Sequence, residues 1–297
     1  MPPALTGLPT PLAASTDVSL GHFERLDSYI PFDLTVPDNF LLATFVLTLI
    51  VAGRYLLIVA PVWWALYRRV GSSWESRKIY EKLPTRAMQA FEIKWSFFTS
   101  IIFGLGGVIL GWMWQMGWTK IYLRFDEYPL WNLPLSFVMM ALVHDFYFYF
   151  THRWMHRPRI YRLMHSVHHQ SITPSPWASF SFHPLEGLIQ AAALPLLVLI
   201  IPVHPCVLLT YLTFMTISAI INHLGFEVLP RNTIGAWIGS WFITGTHHAQ
   251  HHRYFKTNFG LFFTFWDRLL HTEDARYVNE IETRLLIQPE TAQCPTH

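Results

Sequence analysis

The sequence predicts an all-α, multi-pass membrane helical bundle of about four to five spans, with a histidine-rich cap on its cytoplasmic side. Three observations lead there. Hydrophobic residues fill 52% of the 297 positions and charged residues only 13%, whereas a soluble domain carries roughly a quarter charged residues. Several apolar runs approach or exceed the about 20 residues that a spanning helix requires. The 16 histidines are also unevenly placed, with most of them in two short windows.

The chain begins with residues 1–38, a Pro/Ser/Thr-rich segment predicted to be partly disordered. It lacks the basic start and apolar core of a cleaved signal peptide. Arg25 is its one basic residue against five acids. Residues 39–130 hold the first two spans, 40–66 and 95–118, and the loop between them. That loop carries Arg68, Arg69, Arg77, Lys78, Lys82, Arg86 and Lys94, so the positive-inside rule makes it cytoplasmic and residues 1–38 non-cytoplasmic. Arg54 interrupts the first run. A charge within a span is costly, so the span is expected to end near Gly53 and the remainder to lie along the interface. A third run, 131–143, continues into "HDFYFYF". The runs 185–203 and 207–221, split by "HPC", read as a membrane hairpin. Counting crossings from the basic loop brings both histidine windows to the cytoplasmic face. Residues 276–297 remain as a C-terminal tail.

Twelve of the 16 histidines fall within 144–183 and 223–252. His152 and His156 are four apart. His165, His168 and His169 stand at i, i+3 and i+4, as do His248, His251 and His252. His223 and Glu227 in "NHLGFE" are again four apart. Residues three and four apart share a helix face, so each group is expected to aim two or three imidazoles at one point, the geometry a metal requires. Eight histidines exceed the about four to six ligands that one ion takes, so two ions are the economical reading: a dinuclear site. All-imidazole sets suit zinc, copper, iron or nickel.

Five further residues flank these groups. Two roles are open to Asp145: accepting a ring N–H from a ligand histidine, or pairing with Arg153 or Arg157. Glu227 is either an oxygen ligand or the group that orients His223. His183, before Pro184, caps the next helix or lines a pocket. His144 is a further ligand candidate. His247 points off the face shared by His248, His251 and His252, which leaves it behind the ligands or against substrate. The isolated His22, His204, His271 and His297 read as ordinary structural residues.

Other chemistries find little support. A net charge of +2 with no basic stripe argues against a nucleic-acid partner. Two cysteines, Cys206 and Cys294, cannot build an iron–sulfur cluster. No flavin or nicotinamide fingerprint, haem attachment motif or HExxH is present. A histidine-rich metal transporter is the alternative from another class, but transporters place polar ligands within their spans, and these spans are nearly free of them.

The stretches "HDFYFYFTHRWMHRPRIYRLMHSVHHQ", "NHLGFE" and "THHAQHHRYFKTNFGLFFTFWDRLLHTE" resemble the fatty acid hydroxylase / sterol desaturase superfamily of membrane di-iron enzymes. "TPSPWASFSFHPLEG" and "GLFFTFWDRLLHT" are similar to segments of its sterol C5 desaturase branch, with His271 standing where glycine is common. The resemblance implies a catalytic domain over 131–275, with His152, His156, His165, His168, His169, His248, His251 and His252 as metal ligands and His223 as a further one. It implies two Fe ions, O2 as co-substrate and a lipid substrate drawn from the bilayer. The expected reaction is formation of a C=C bond in a sterol ring; the alternative within the superfamily is hydroxylation of a fatty acid, sphingolipid or sterol methyl group. With no redox cofactor motif of its own, the chain needs an external electron donor: cytochrome b5 in a eukaryote or a ferredoxin in a bacterium. The basic loop 68–94 could dock such a donor or bind lipid head groups. The host membrane is the endoplasmic reticulum or a bacterial inner membrane.

Overall fold

The computed structural model describes residues 32–69 and 72–286. The disorder expected of the first residues, His22 and His297 lie outside these. The described part is helical, with only isolated β-bridges.

Helix α1 spans Pro37–Trp64, with a proline in its first turn where no N–H is missed. At 1.5 Å per residue it is about 42 Å long, more than a bilayer core needs. It runs unbroken through half-buried Arg54, so the helix does not end near Gly53. The apolar residues after Arg54 keep the helix going, and Tyr55 and Val59 bury against the "PWASF" segment and the fifth helix. Helix α2, Arg86–Gln115, starts at Thr85, whose hydroxyl accepts the Met88 N–H at 3.2 Å. It packs along α1 at a close crossing: a Cβ on Gly104 would lie 2.5 Å from Thr48 Oγ1. Small residues allow such approach between membrane helices.

Helix α3, Asn132–Met155, carries the third apolar run directly into the first histidine pair. His152 is therefore fixed to the same rigid rod that crosses the apolar layer. Helix α4, Pro184–Ile200, and α5, Pro205–Asn222, are joined by the expected short turn, and each starts with a histidine cap and a proline, but α4 packs on α2 and α3 and α5 on α3 rather than along each other as a hairpin. Of the described helices, α1, α2, α3 and α5 are long and apolar enough to cross a membrane; α4, with 17 residues, is a shorter apolar helix.

The cap follows. Helix α6 covers Thr233–Trp241, α7 Gly245–Tyr254, α8 Phe265–Leu269 and α9 Tyr277–Leu286. Residues 277–286, assigned to a tail in the sequence, form α9. It buries Tyr277, Ile281 and Leu285 at helical spacing against α6, and the Tyr277 hydroxyl donates to the Gly239 carbonyl at 2.6 Å. The basic loop is strapped to the cap rather than free. Arg77 donates to the carbonyls of Glu227 and Leu229, and Ile79 N–H to that of Gly225. Gly225 sits at φ 74° with Tyr67 and Tyr80 close by, a conformation that favours glycine.

Candidate metal centre

Nine imidazoles converge from four segments and divide into two groups. His152, His156, His165, His169 and His251 form one; His168, His223, His248 and His252 form the other. In the first, Nε2–Nε2 distances run from 3.0 Å (His169 to His165) to 3.2 Å (His156 to His251). In the second they are 3.0 Å for His248–His223, 3.1 Å for His252–His248 and 3.3 Å for His223–His168. Eight of the nine rings are buried and His156 is half-buried.

Two imidazoles of each HxxHH triplet converge on one group, as expected, and the third turns to the other group. His165 and His169 join the first group while His168 joins the second; His248 and His252 join the second while His251 joins the first. Helix geometry explains the split in α7. At about 100° per residue, positions i and i+4 differ by only about 40°, while i+3 falls about 100° from i+4. The pair shares one centre and the third ring turns to the next. The first triplet does this without a regular α-helix: a π-turn, Tyr161–His165, is followed by a 3-10 turn, His168–Gln170.

The outer nitrogens fix which inner nitrogens carry lone pairs. Nδ1–H of His152 donates to the Phe259 carbonyl at 2.9 Å, and that of His251 to Thr257 at 2.7 Å. His168 Nδ1–H reaches the Ser181 carbonyl at 3.2 Å and His223 Nδ1–H the Ala219 carbonyl at 2.7 Å. A carbonyl only accepts, so these rings hold their proton on Nδ1 and face inward with a bare Nε2. His168 and His223 thus set two lone pairs 3.3 Å apart, which is repulsive unless a cation lies between them. Protonation does not supply it: burial pushes His223 down to about 4 and, with the neighbouring imidazoles, holds His168 and His248 well below the ordinary histidine range. The donor set fits transition metals that accept imidazole.

The flanking candidates take other places. Asp145 neither orients a histidine nor pairs with arginine. Its Oδ1 accepts the backbone N–H groups of Leu261, Phe262 and Phe263 at 3.2, 2.7 and 3.3 Å, pinning the strand-like segment that presents the Phe259 carbonyl to His152. Glu227 touches neither a metal group nor His223. It accepts from Thr246 N–H and Oγ1–H and from Leu229 N–H, and so anchors the start of α7. His183 caps α4 by accepting Leu185 N–H at 3.3 Å. His144 Nδ1 lies 2.9 Å from the Tyr211 hydroxyl, away from both groups. His247, fully buried, also lies outside both, edge-on to Tyr277 and 3.9 Å from Asp267.

The sequence reading missed two acids. Glu186 Oε1 lies 2.9 Å from His165 Nδ1, both groups being 1% exposed. Asp267 accepts Phe259 and Gly260 N–H at 2.8 Å each. Glu186 stands three residues after His183 and Asp267 four before His271, but neither is at helical spacing from a histidine of the two groups, so periodicity gave no signal toward them.

The model of the fatty acid hydroxylase family matches residues 137–272, which contain all nine imidazoles. That segment is similar to the fatty acid hydroxylase family. The chain is similar to the Delta(7)-sterol 5(6)-desaturase of Saccharomyces cerevisiae, with 34% identity over 156 residues, covering 52% of this chain and 40% of that protein. The Delta(7)-sterol 5(6)-desaturase of Candida albicans is 34% identical over 160 residues, 52% of this chain and 38% of that protein. Human lathosterol oxidase is 33% identical over 156 residues, 52% of this chain and 50% of that protein. The matched stretch therefore spans half or less of the relatives' own length. No solved structure matches the chain.

Proposed function

We propose that the chain is a membrane di-iron oxidase that uses O2 to remove two hydrogens from neighbouring carbons of a lipid, forming a C=C bond in a sterol ring. The observation that carries this is the pair of buried imidazole groups whose inner nitrogens are held as lone pairs, in a domain similar to sterol 5(6)-desaturases. His152, His156, His165, His169 and His251 would hold one iron; His168, His223, His248 and His252 the other. An unactivated C–H bond offers no handle to acid–base groups, and bound iron supplies the one-electron chemistry that reaches it. The reaction balances as O2, two electrons, two protons and one CH–CH unit giving C=C and two waters.

The protein's own residues position and shield. Carbonyls of Phe259, Thr257, Ser181 and Ala219 lock four rings in orientation, as partners behind metal ligands do. Phe259 packs on His152, His156 and His251, and Phe182 on His168, keeping bulk water away from the reacting centre. An apolar groove of about 320 Å³ is lined by Ile58, Val62, Trp74, Ile217, Ile220 and Leu224, the last of which follows His223 in the chain. Arg157, Arg159 and Arg162, which follow half-buried His156, are exposed, as are Arg253 and Lys256 next to the last histidines. Residues 146–185 and 228–266 contain no acid. This face suits an acidic electron donor, cytochrome b5 or a ferredoxin, better than the loop 68–94, whose Arg77 is spent on the cap. Charge asymmetry across the spans sets the cap in the cytoplasm, at the endoplasmic reticulum or a bacterial inner membrane.

The family model's description favours a second reading, hydroxylation of a lipid, in which the same O2, electrons and protons yield one hydroxyl and one water. Expression in a host lacking C5 sterol desaturase, with sterols analysed by mass, separates them. Oxygen-dependent loss of two hydrogens supports the desaturase. A gain of one oxygen supports the hydroxylase. Unchanged sterols with the protein present and iron-loaded contradict a sterol substrate.

A further inference from the structure

Glu186 is a buried acid that the proposed reaction leaves unused. It stands in the first turn of α4, where an acid ordinarily complements the helix dipole or closes a cap. Here the cap is His183, already accepting the Leu185 N–H. Glu186 instead places Oε1 2.9 Å from His165 Nδ1 on a different segment, an ion-pair distance without hydrogen-bond alignment. Its Oε2 has no hydrogen-bond partner, and among the described residues no lysine or arginine pairs with it. A lone buried carboxylate is costly unless positive charge lies within reach. A cation bound by His165 Nε2 supplies it through the imidazole ring. In the four-histidine group, the outer nitrogens of His168 and His223 meet only neutral carbonyls.

We infer that Glu186 is a positioning residue that makes the two metal sites unequal. Through His165 it lends negative charge to the five-histidine site, so the ion there holds its oxidised form more strongly than the ion in the four-histidine site. Electrons from the external donor then load in two separate steps, each taking one Fe3+ to Fe2+, the four-histidine iron first. This rests on the reading that both groups bind iron.

The test is a stepwise reductive titration of 57Fe-loaded protein followed by Mössbauer spectroscopy, with iron per chain measured separately. Wild type should pass through a plateau with one iron reduced. Glu186→Gln keeps the side-chain size and an acceptor oxygen but removes the charge. It should retain two irons and shift the Fe3+/Fe2+ equilibrium of the harder-to-reduce iron about tenfold toward Fe2+, about 59 mV for one electron. Glu186→Asp should return it toward wild type. Simultaneous reduction of both irons in wild type would overturn the inference, as would an E186Q protein with two irons and unchanged steps. Where E186Q does not fold, simultaneous reduction of both irons in wild type still overturns the inference, and the E186D potentials carry the comparison. Protein that binds no iron at all defeats the underlying functional reading, whereas two irons with unaltered potentials defeat only the role of Glu186.

Discussion

The two imidazole groups are built from the same motifs yet differ in surroundings. The five-histidine group has a half-buried member, His156, and a carboxylate behind His165. The four-histidine group is fully buried. One group has a ring partly open to water and a carboxylate beside it; the other has neither. The difference teaches that a repeated motif need not make a repeated site. Each HxxHH contributes to both groups, so α7 and the Tyr161–Gln170 segment tie the two centres together mechanically, while their environments divide the work.

The harshest way to break this comparison is to remove one ligand from each group. His248→Ala and His251→Ala should each lower lipid oxidation on the order of 100-fold or more and reduce iron from two toward one per chain. Their residual irons should give different Mössbauer spectra. Identical residual spectra would mean that the groups are not separate centres.

Next in size is Asp145→Ala, which strips three backbone N–H groups of their acceptor and frees the segment that presents Phe259 to His152. Thermal unfolding should report a loss of about 3 kcal/mol. Metal affinity should fall about 10-fold or more at the five-histidine group alone, read by competition with a chelator. An equal fall at both groups would contradict the assignment of Asp145 to one side.

Acid sharpens the comparison less selectively. His223 is pushed down to about 4 and His247 to about 3, mainly by burial, against about 6.5 in an unfolded chain. Below about 6.5 the unfolded state binds more protons, so stability falls as pH falls. It is fully present above about 6.5 and is lost progressively down to about 4 for His223 and 3 for His247. Metal-free protein should therefore unfold at lower urea between pH 7 and pH 4, by up to about 1.4 kcal/mol per unit for each such ring. A flat profile would show that these rings are not held neutral. The smallest effects concern the two faces. Arg157→Glu with Arg162→Glu should raise KM for an acidic donor about three- to tenfold, less so at high salt, without altering KM for lipid. Ile217→Trp should do the reverse.

Much of this was legible in the sequence where a local rule applied. Hydropathy located the membrane helices because burial in lipid demands long apolar runs. Spacing of four found the pairs His152/His156, His165/His169 and His248/His252, because a single helical turn brings such residues together. What stayed hidden depends on contacts distant in sequence. The crossing of His168 and His251 to opposite groups depends on where the second centre lies. Asp145 looked like a histidine partner at seven residues' spacing, but three amides more than 110 residues away claim it. Glu186 meets His165 only because α4 begins beside the π-turn. Arg54 misled because helix packing, not the charge, determines where α1 ends.

The measurement that bears most directly on the account is metal analysis of protein purified from iron-supplied cells. Close to two irons per chain, with two resolvable Mössbauer environments, is the predicted result. A single iron per chain, or two that are indistinguishable, would contradict the two unequal histidine centres on which the account stands.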